Sequence, residues 1–184
     1  KRQKYNFLSQ RQTSYPVLGL EVATNYKSRI LKGTRNMIRQ LLHTDASYVY
    51  CFLRLVAGVI IFPYGMQKLL GWFDDFGGGV GIAASLAQFK KKRIPQFVAW
   101  MVIIGQSLGS IALVAGFCGR IAAAGNFVIF TGALLSHASD GWVMNWTGRK
   151  RGEGIEYFVM LLSILLIIVI KGSGALSIDR WLLQ

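Results

Sequence analysis

Cysteine, histidine and acidic residues are all scarce in this 184-residue chain, and each scarcity removes a class of protein. The two cysteines, Cys51 and Cys118, form no CxxC pair, so the sequence supports neither a disulfide framework nor a zinc site. No CxxCH occurs, which excludes covalent haem attachment. There is no P-loop, no dinucleotide fingerprint, no metal-ligand cluster and no nucleophile with a base. Residues 1–44 contain no uninterrupted apolar core of the kind a signal peptide carries, although the chain starts at Lys1 and not at Met. Acids number 8 against 21 Lys and Arg, for a formal charge of +13. Such a balance raises nucleic-acid binding. Most of the basic residues flank apolar spans, however, and that placement argues for no nucleic-acid partner.

What the chain has in abundance is apolar length. The hydrophobic fraction is 53 % and the mean hydropathy is +0.40. Four stretches are apolar enough to lie in a bilayer: Tyr48–Trp72, Pro95–Gly116, Ile121–Ala138 and Ile155–Ile170. A bilayer core of about 30 Å takes about 20 residues of helix. The last stretch, IEYFVMLLSILLIIVI, is apolar almost all round, a pattern that only a membrane or a very large core hides. Spans two and three are joined by Phe117–Arg120 alone, which predicts a tight antiparallel hairpin. Pro63 predicts a kink in span one, and Gly58 and Gly65 allow close helix approach. The FDDFGGGVGI stretch cannot continue a helix cheaply. Val80–Phe89 then reads as a short interfacial or re-entrant helix, followed by KKKR and by Pro95 where the next helix starts. Trp142 and Trp146 suit the interface in the polar loop of residues 140–154. The expected fold is an all-α membrane protein, a four-transmembrane-helix antiparallel bundle spanning residues 48–184.

Residues 1–47 form a basic arm. Up to residue 44 it carries nine Lys and Arg against one acid, Glu21. Residues 1–23 are aperiodic and read as extended or irregular. Over Thr24–Leu42, by contrast, Ile30, Met37, Ile38, Leu41 and Leu42 recur at helical spacing. Lys27, Lys32, Arg35 and Arg39 supply cations, and Lys27, Arg35 and Arg39 are read mostly on the other side. This pattern suits a helix lying on anionic lipid, or one docked on a neighbouring protein. Loop charges favour both termini on the cytoplasmic side of a bacterial-type inner membrane.

Ionisable residues in or beside membrane spans are costly and therefore functional candidates. Alternation of four spans brings Lys68, His137 and Glu156 to one membrane face as candidate catalytic residues. Each has a plainer reading. Lys68 can snorkel and pair with Asp74 or Asp75, Glu156 can complement a helix dipole, and His137 can be a satisfied helix-end residue. Arg54 and Asp179 fall at the opposite face and read as a structural pair. Both cysteines fall there too, either bonded or simply two small buried residues. Haem held by His43 and His137 would be strained, since the two lie at opposite faces.

The run LRLVAGVIIFPYGMQKLLGW, with its G-x-x-K-L element, is followed by AGFCGRIAA, His137, GIEY and GSGALSID. In this order and spacing the chain resembles the DoxX family of small four-helix membrane proteins. The resemblance covers roughly the last three-quarters of the chain, and Arg54, Gly65, Lys68, His137, Glu156 and Asp179 stand at matching positions. Some members resemble the membrane subunit of thiosulfate:quinone oxidoreductase, and others are associated with membrane redox or oxidative-stress complexes. Two departures matter: Gln106 replaces a common acid of the second helix, and the basic arm is foreign to the pattern. The resemblance leaves two expectations. One is a non-catalytic accessory subunit of a larger membrane complex, strapped to other subunits by its arm. The other is a redox-associated protein taking a quinone or a small sulfur species at Lys68, His137 and Glu156. Membrane lipids are expected partners in both, and a quinone or a bound lipid is the only cofactor suggested.

Four crossings with a non-crossing Gly77–Arg93 segment give a topological prediction. Single cysteines introduced at positions 74 and 92 are expected to react with an impermeant maleimide from the same side of intact membranes. Labelling from opposite sides would show that the segment crosses.

Overall fold

The computed structural model describes residues 15–74, 80–149 and 152–184. Every regular element among them is helical: α1 (Tyr15–Leu42), α2 (Tyr48–Leu70), α3 (Gly81–Lys91), α4 (Gln96–Ala115), α5 (Gly119–Ser136), a 3-10 turn at Ala138–Asp140, α6 (Glu156–Lys171) and α7 (Ile178–Leu182). The chain divides into two compact units, Lys1–Gln40 and Leu41–Gln184.

In the first unit α1 starts nine residues earlier than the periodicity suggests, at Tyr15 and not at Thr24. The sequence reading of irregular chain over residues 15–23 is therefore corrected. Pro16 sits in the first turn, where its missing N–H costs nothing and its fixed φ suits the helix. Residues 1–14 lie outside the described residues. From Asn25 to Leu41 every side chain is exposed, apolar ones included, among them Ile30, Leu31, Met37, Ile38 and Leu41. At about 100° per residue, Arg29, Lys32, Arg35 and Arg39 share one side, whereas Lys27 falls between Leu41 and Ile38 on the apolar arc.

In the second unit each helix ends where its sequence demands. Ser47 caps α2 by accepting the Val49 N–H at 3.2 Å, and Gly71, in the left-handed conformation at φ 77°, ends it. Pro63 lies inside α2. Pro95 is the N-cap of α4, one residue later than a helix start at Pro95 would place it. The expected short helix is α3, 11 residues long. At about 1.5 Å per residue that is about 16 Å, well short of a bilayer. It packs against α2 and α4.

Helices α2, α4, α5 and α6 pack around one apolar core of Ala57, Ile61, Leu113, Ala123, Phe130, Phe158, Leu161, Leu165 and Ile168. Large apolar side chains also face outward, among them Phe52, Val59, Phe97, Met101, Leu108, Val128, Met160 and Leu166. A surface of this kind is stable only in an apolar solvent. Helices α2, α4 and α5 are long and apolar enough to cross a membrane. The fourth apolar run forms α6, but its 16 residues fall below the usual spanning length of about 17–25. The chain turns sharply at Gly172, where φ is 86° and an added Cβ would lie 2.7 Å from the His43 carbonyl oxygen. Among the described residues, three helices thus qualify as candidate membrane spans by length and composition.

The closest helix crossing is that of α2 on α4. A Cβ on Gly65 would lie 2.5 Å from the Gln106 carbonyl carbon and 2.6 Å from the Ser107 Cα. Nothing there is a flexible side chain that could yield. Gly65→Val is therefore expected to lower stability by about 1–3 kcal/mol, read as a reduced melting temperature in detergent. Gly125, whose Cβ would meet nothing within 4 Å, serves as the control. Gly125→Ala is expected to be neutral or stabilising by up to about 1 kcal/mol.

Candidate functional site

The two ends of the packed helices hold two different polar constellations. At the end formed by the start of α2, the α4–α5 turn and the tail, Arg54 and Asp179 are each only 1 % exposed. They form no ion pair with one another. The Arg54 guanidinium donates instead to main-chain carbonyls: Nε to Ser173 at 2.8 Å, Nη1 to Leu113 and Val114, and Nη2 to Leu176 at 2.6 Å. Its neighbour at 3.5 Å is the Cys51 sulfur. The carbonyls of Leu113 and Val114 belong to the last turn of α4, which runs out of intrahelical donors; Leu113 also accepts the Gly116 N–H at 3.2 Å. A cation there also complements the negative end of the helix dipole.

Asp179 does the reverse for α5. Its Oδ1 accepts the Cys118 N–H at 2.6 Å, and its Oδ2 accepts the Gly119 N–H at 2.9 Å and the Ser173 hydroxyl at 2.6 Å. Cys118 has φ 48° and its own side chain caps nothing, so the tail provides the missing N-terminal cap. Ser173 links the two constellations, its carbonyl facing Arg54 and its hydroxyl facing Asp179. The pair read from the sequence is thus a relay through the backbone and not a salt bridge. Both cysteines are at this end and both are free thiols. Desolvation, and secondarily the Asp179 charge, raise the Cys118 thiol above its ordinary pKa and disfavour its thiolate.

At the other end lie Lys68, His137 and Glu156. The structure connects Lys68 to His137 through aromatic rings and leaves Glu156 outside that chain. The Lys68 ammonium sits 5.9 Å from the Tyr64 ring centroid and donates to the Tyr64 carbonyl at 3.1 Å. Tyr64 meets Tyr157 at 6.4 Å between centroids, Tyr157 meets Phe158 at 5.5 Å, and Phe158 stacks on His137 at 5.6 Å with 12° between planes. No salt bridge joins Lys68 to Glu156, to His137 or to Asp74 among the described residues; Asp75 lies outside them. Glu156 accepts the Met144 N–H at 3.3 Å and so closes the α5–α6 loop. His137 has its own carboxylate: Nδ1 is 2.8 Å from Asp140 Oδ2.

Asp140, Tyr64, Tyr157 and Phe158 were missed from the sequence. For Asp140 a signal existed, since it follows His137 by three residues at a helix end. A carboxylate on one imidazole nitrogen fixes the ring and leaves the other nitrogen to exchange protons. Gln106 is buried in α4, and its Oε1 has no hydrogen-bond partner among the described residues. Asn126 is buried in α5, and its Nδ2 donates to the Gly105 and Ala122 carbonyls at 3.0 Å. No group of three His, Cys, Asp or Glu stands close enough to hold a metal ion among the described residues.

This geometry can be set beside known proteins. The DoxX family model matches residues 49–139, from the start of α2 to the turn after α5. The match agrees with the resemblance over those residues, whereas the GIEY and GSGALSID elements lie beyond it; with its apolar helices the chain is a membrane protein. No curated protein and no solved structure matches the chain.

The carbonyl cage defines a stability test. Arg54→Lys keeps the charge but loses the planar fork that reaches carbonyls on both sides. Its expected cost is about 3 kcal/mol or more, at about 1.5–3 kcal/mol for each lost charged hydrogen bond. Asp179→Asn is expected to cost about 1.5–3 kcal/mol, because the amide turns a donor towards backbone N–H groups. Thermal unfolding of the detergent-solubilised chain measures both. A wild-type melting temperature in either variant would refute the assignment.

Proposed function

We propose that this protein is a non-catalytic accessory subunit of a larger integral membrane complex of the redox or energy-converting kind. The observation that carries the reading is α1. It is a 28-residue helix in which the exposed Ile30, Met37, Ile38 and Leu41 share one side and Arg29, Lys32, Arg35 and Arg39 share the other. A helix so patterned is stable against a surface and not in water. The buried charged groups at the Arg54 end support the same reading, because their hydrogen bonds are taken up by helix ends. In this proposal α6 is the fourth crossing, extended at each end by flanking residues. Both termini face the cytoplasm of a bacterial-type inner membrane. Residues 1–47 are the strap to the other subunits, and residues 48–184 are the anchored domain.

One observation favours a second reading, in which a quinone or a small sulfur species binds near Lys68. That ammonium has no carboxylate partner among the described residues and lies beside an aromatic layer ending in the His137–Asp140 dyad. Lys68 would hold an anionic group while His137 and Glu156 moved protons.

Deletion of residues 1–40 separates the readings. The truncated chain is expected to insert in membranes normally and to lose co-migration with a large complex on native gels. Retained co-migration would overturn the strap. Lys68→Met with Glu156→Gln is expected to assemble and to leave quinone reduction by the isolated complex unchanged; loss of turnover without loss of assembly would favour the second reading.

A further inference from the structure

The tail does more than cap α5. At Gly116 (φ 69°) the chain leaves α4 so tightly that a Cβ would lie 2.6 Å from Ser177 Cβ, and the Gly116 carbonyl accepts the Asp179 N–H at 2.9 Å. Asp179 is thereby pinned in the interior. The next residues of the short α7 are turned outward: Arg180 is half-buried and Trp181 is 74 % exposed. Between this tail and the ends of α2 and α4 runs an open groove of about 600 Å³, lined in part by Tyr48, Ala115, Leu176, Ile178, Arg180 and Trp181. Tyr48 begins and Ala115 ends two of the helices long and apolar enough to cross a membrane, so a bilayer around them would bring its headgroups to the mouth of the groove.

Four cations gather at this end, and three are committed. Arg54 is caged by carbonyls, Arg120 donates to the His43 and Val169 carbonyls at 3.0 and 3.1 Å, and Lys171 lies 3.5 Å from Asp45. The Arg180 guanidinium has no such partner among the described residues. A planar five-donor cation beside an apolar trough, flanked by an exposed Tyr and an exposed Trp, matches one chemistry: a phosphate attached to an acyl chain. We propose that this groove holds one anionic phospholipid, with its phosphate on Arg180 and an acyl chain along Leu176, Ile178 and Trp181. The site depends on membrane embedding alone and is independent of the subunit reading.

The full-length chain, reconstituted with equimolar phosphatidylglycerol and phosphatidylcholine and then stripped with detergent, is read by native mass spectrometry. One phosphatidylglycerol is expected to remain per chain, preferred over phosphatidylcholine by about fivefold, the ratio one cation gives near an anionic headgroup. Arg180→Gln is expected to abolish that preference, and Arg149→Gln, an exposed cation outside the groove, to keep it. Leu176→Trp, which fills the groove and leaves Arg180 in place, is expected to lose the bound lipid as well; it decides the matter if Arg180→Gln does not fold. Equal retention of the two lipids, an unchanged Arg180→Gln, or equal losses in Arg180→Gln and Arg149→Gln would overturn the proposal. So would a photo-crosslinker at position 181 that captures a protein in native membranes and no lipid.

Discussion

A guanidinium buried in the apolar end of a helix bundle, with no carboxylate beside it, must be satisfied by the backbone. Arg54 meets that demand by drawing carbonyls from α4 and from the tail towards one point. Every element at this end is placed by that requirement. The last turn of α4 offers Leu113 and Val114, so α2 and α4 must cross closely, and Gly58 and Gly65 remove the side chains that would keep them apart. The tail offers Ser173 and Leu176, so the chain must fold back immediately after α6. In hydrocarbon an unsatisfied group of this kind costs several kcal/mol, which makes the arrangement close to all-or-none.

Asp179 complements the cage with opposite polarity. A residue far along the chain supplies what a Ser or Thr would ordinarily supply locally, because Cys118 cannot cap α5 with its own side chain. Arg54 and Asp179 therefore act as a matched set without touching. One collects carbonyls from a helix C-terminus, the other collects N–H groups from a helix N-terminus, and Ser173 faces both. Opposite charges at one membrane face look like an ion pair when only the span alternation is visible. The hydrogen-bond partners show that the backbone of two helix ends stands between them.

Much of the bundle was legible because its signals are long and periodic. The runs around Ile61, Leu113, Phe130 and Leu165 are each apolar for five turns or so, and their ends are marked by Ser47, Gly71, Pro95 and Gly116. The short α3 was equally visible, bracketed by glycines and by KKKR. What escaped was short-range or three-dimensional. The start of α1 was hidden because residues 15–23 lack a clean stripe, although Pro16 marks a first turn. The fourth apolar run was displaced by a single residue, Ile155–Ile170 against Glu156–Lys171 for α6, which Gly172 ends. At the Lys68 end, charge alternation drew the eye to carboxylates. The contacts that connect Lys68 to His137 are aromatic rings at Tyr64, Tyr157 and Phe158, residues that read simply as apolar filler in a membrane span. The His137–Asp140 contact was a spacing of three that no longer motif announced.

The tail clasp also imposes an order on biogenesis. Asp179 follows the Cys118 it caps by 61 residues, so on a ribosome adding about 5–20 residues per second the clasp closes several seconds after the α4–α5 turn has formed. During that interval the Arg54 side chain lacks Ser173 and Leu176, and the first N–H groups of α5 face the headgroups unpaired. The half-made bundle is consequently open and polar at one end until its last elements arrive. A chain interrupted before Asp179 would present just those groups to the quality-control machinery of the membrane, a built-in mark of incompleteness that vanishes when the tail docks.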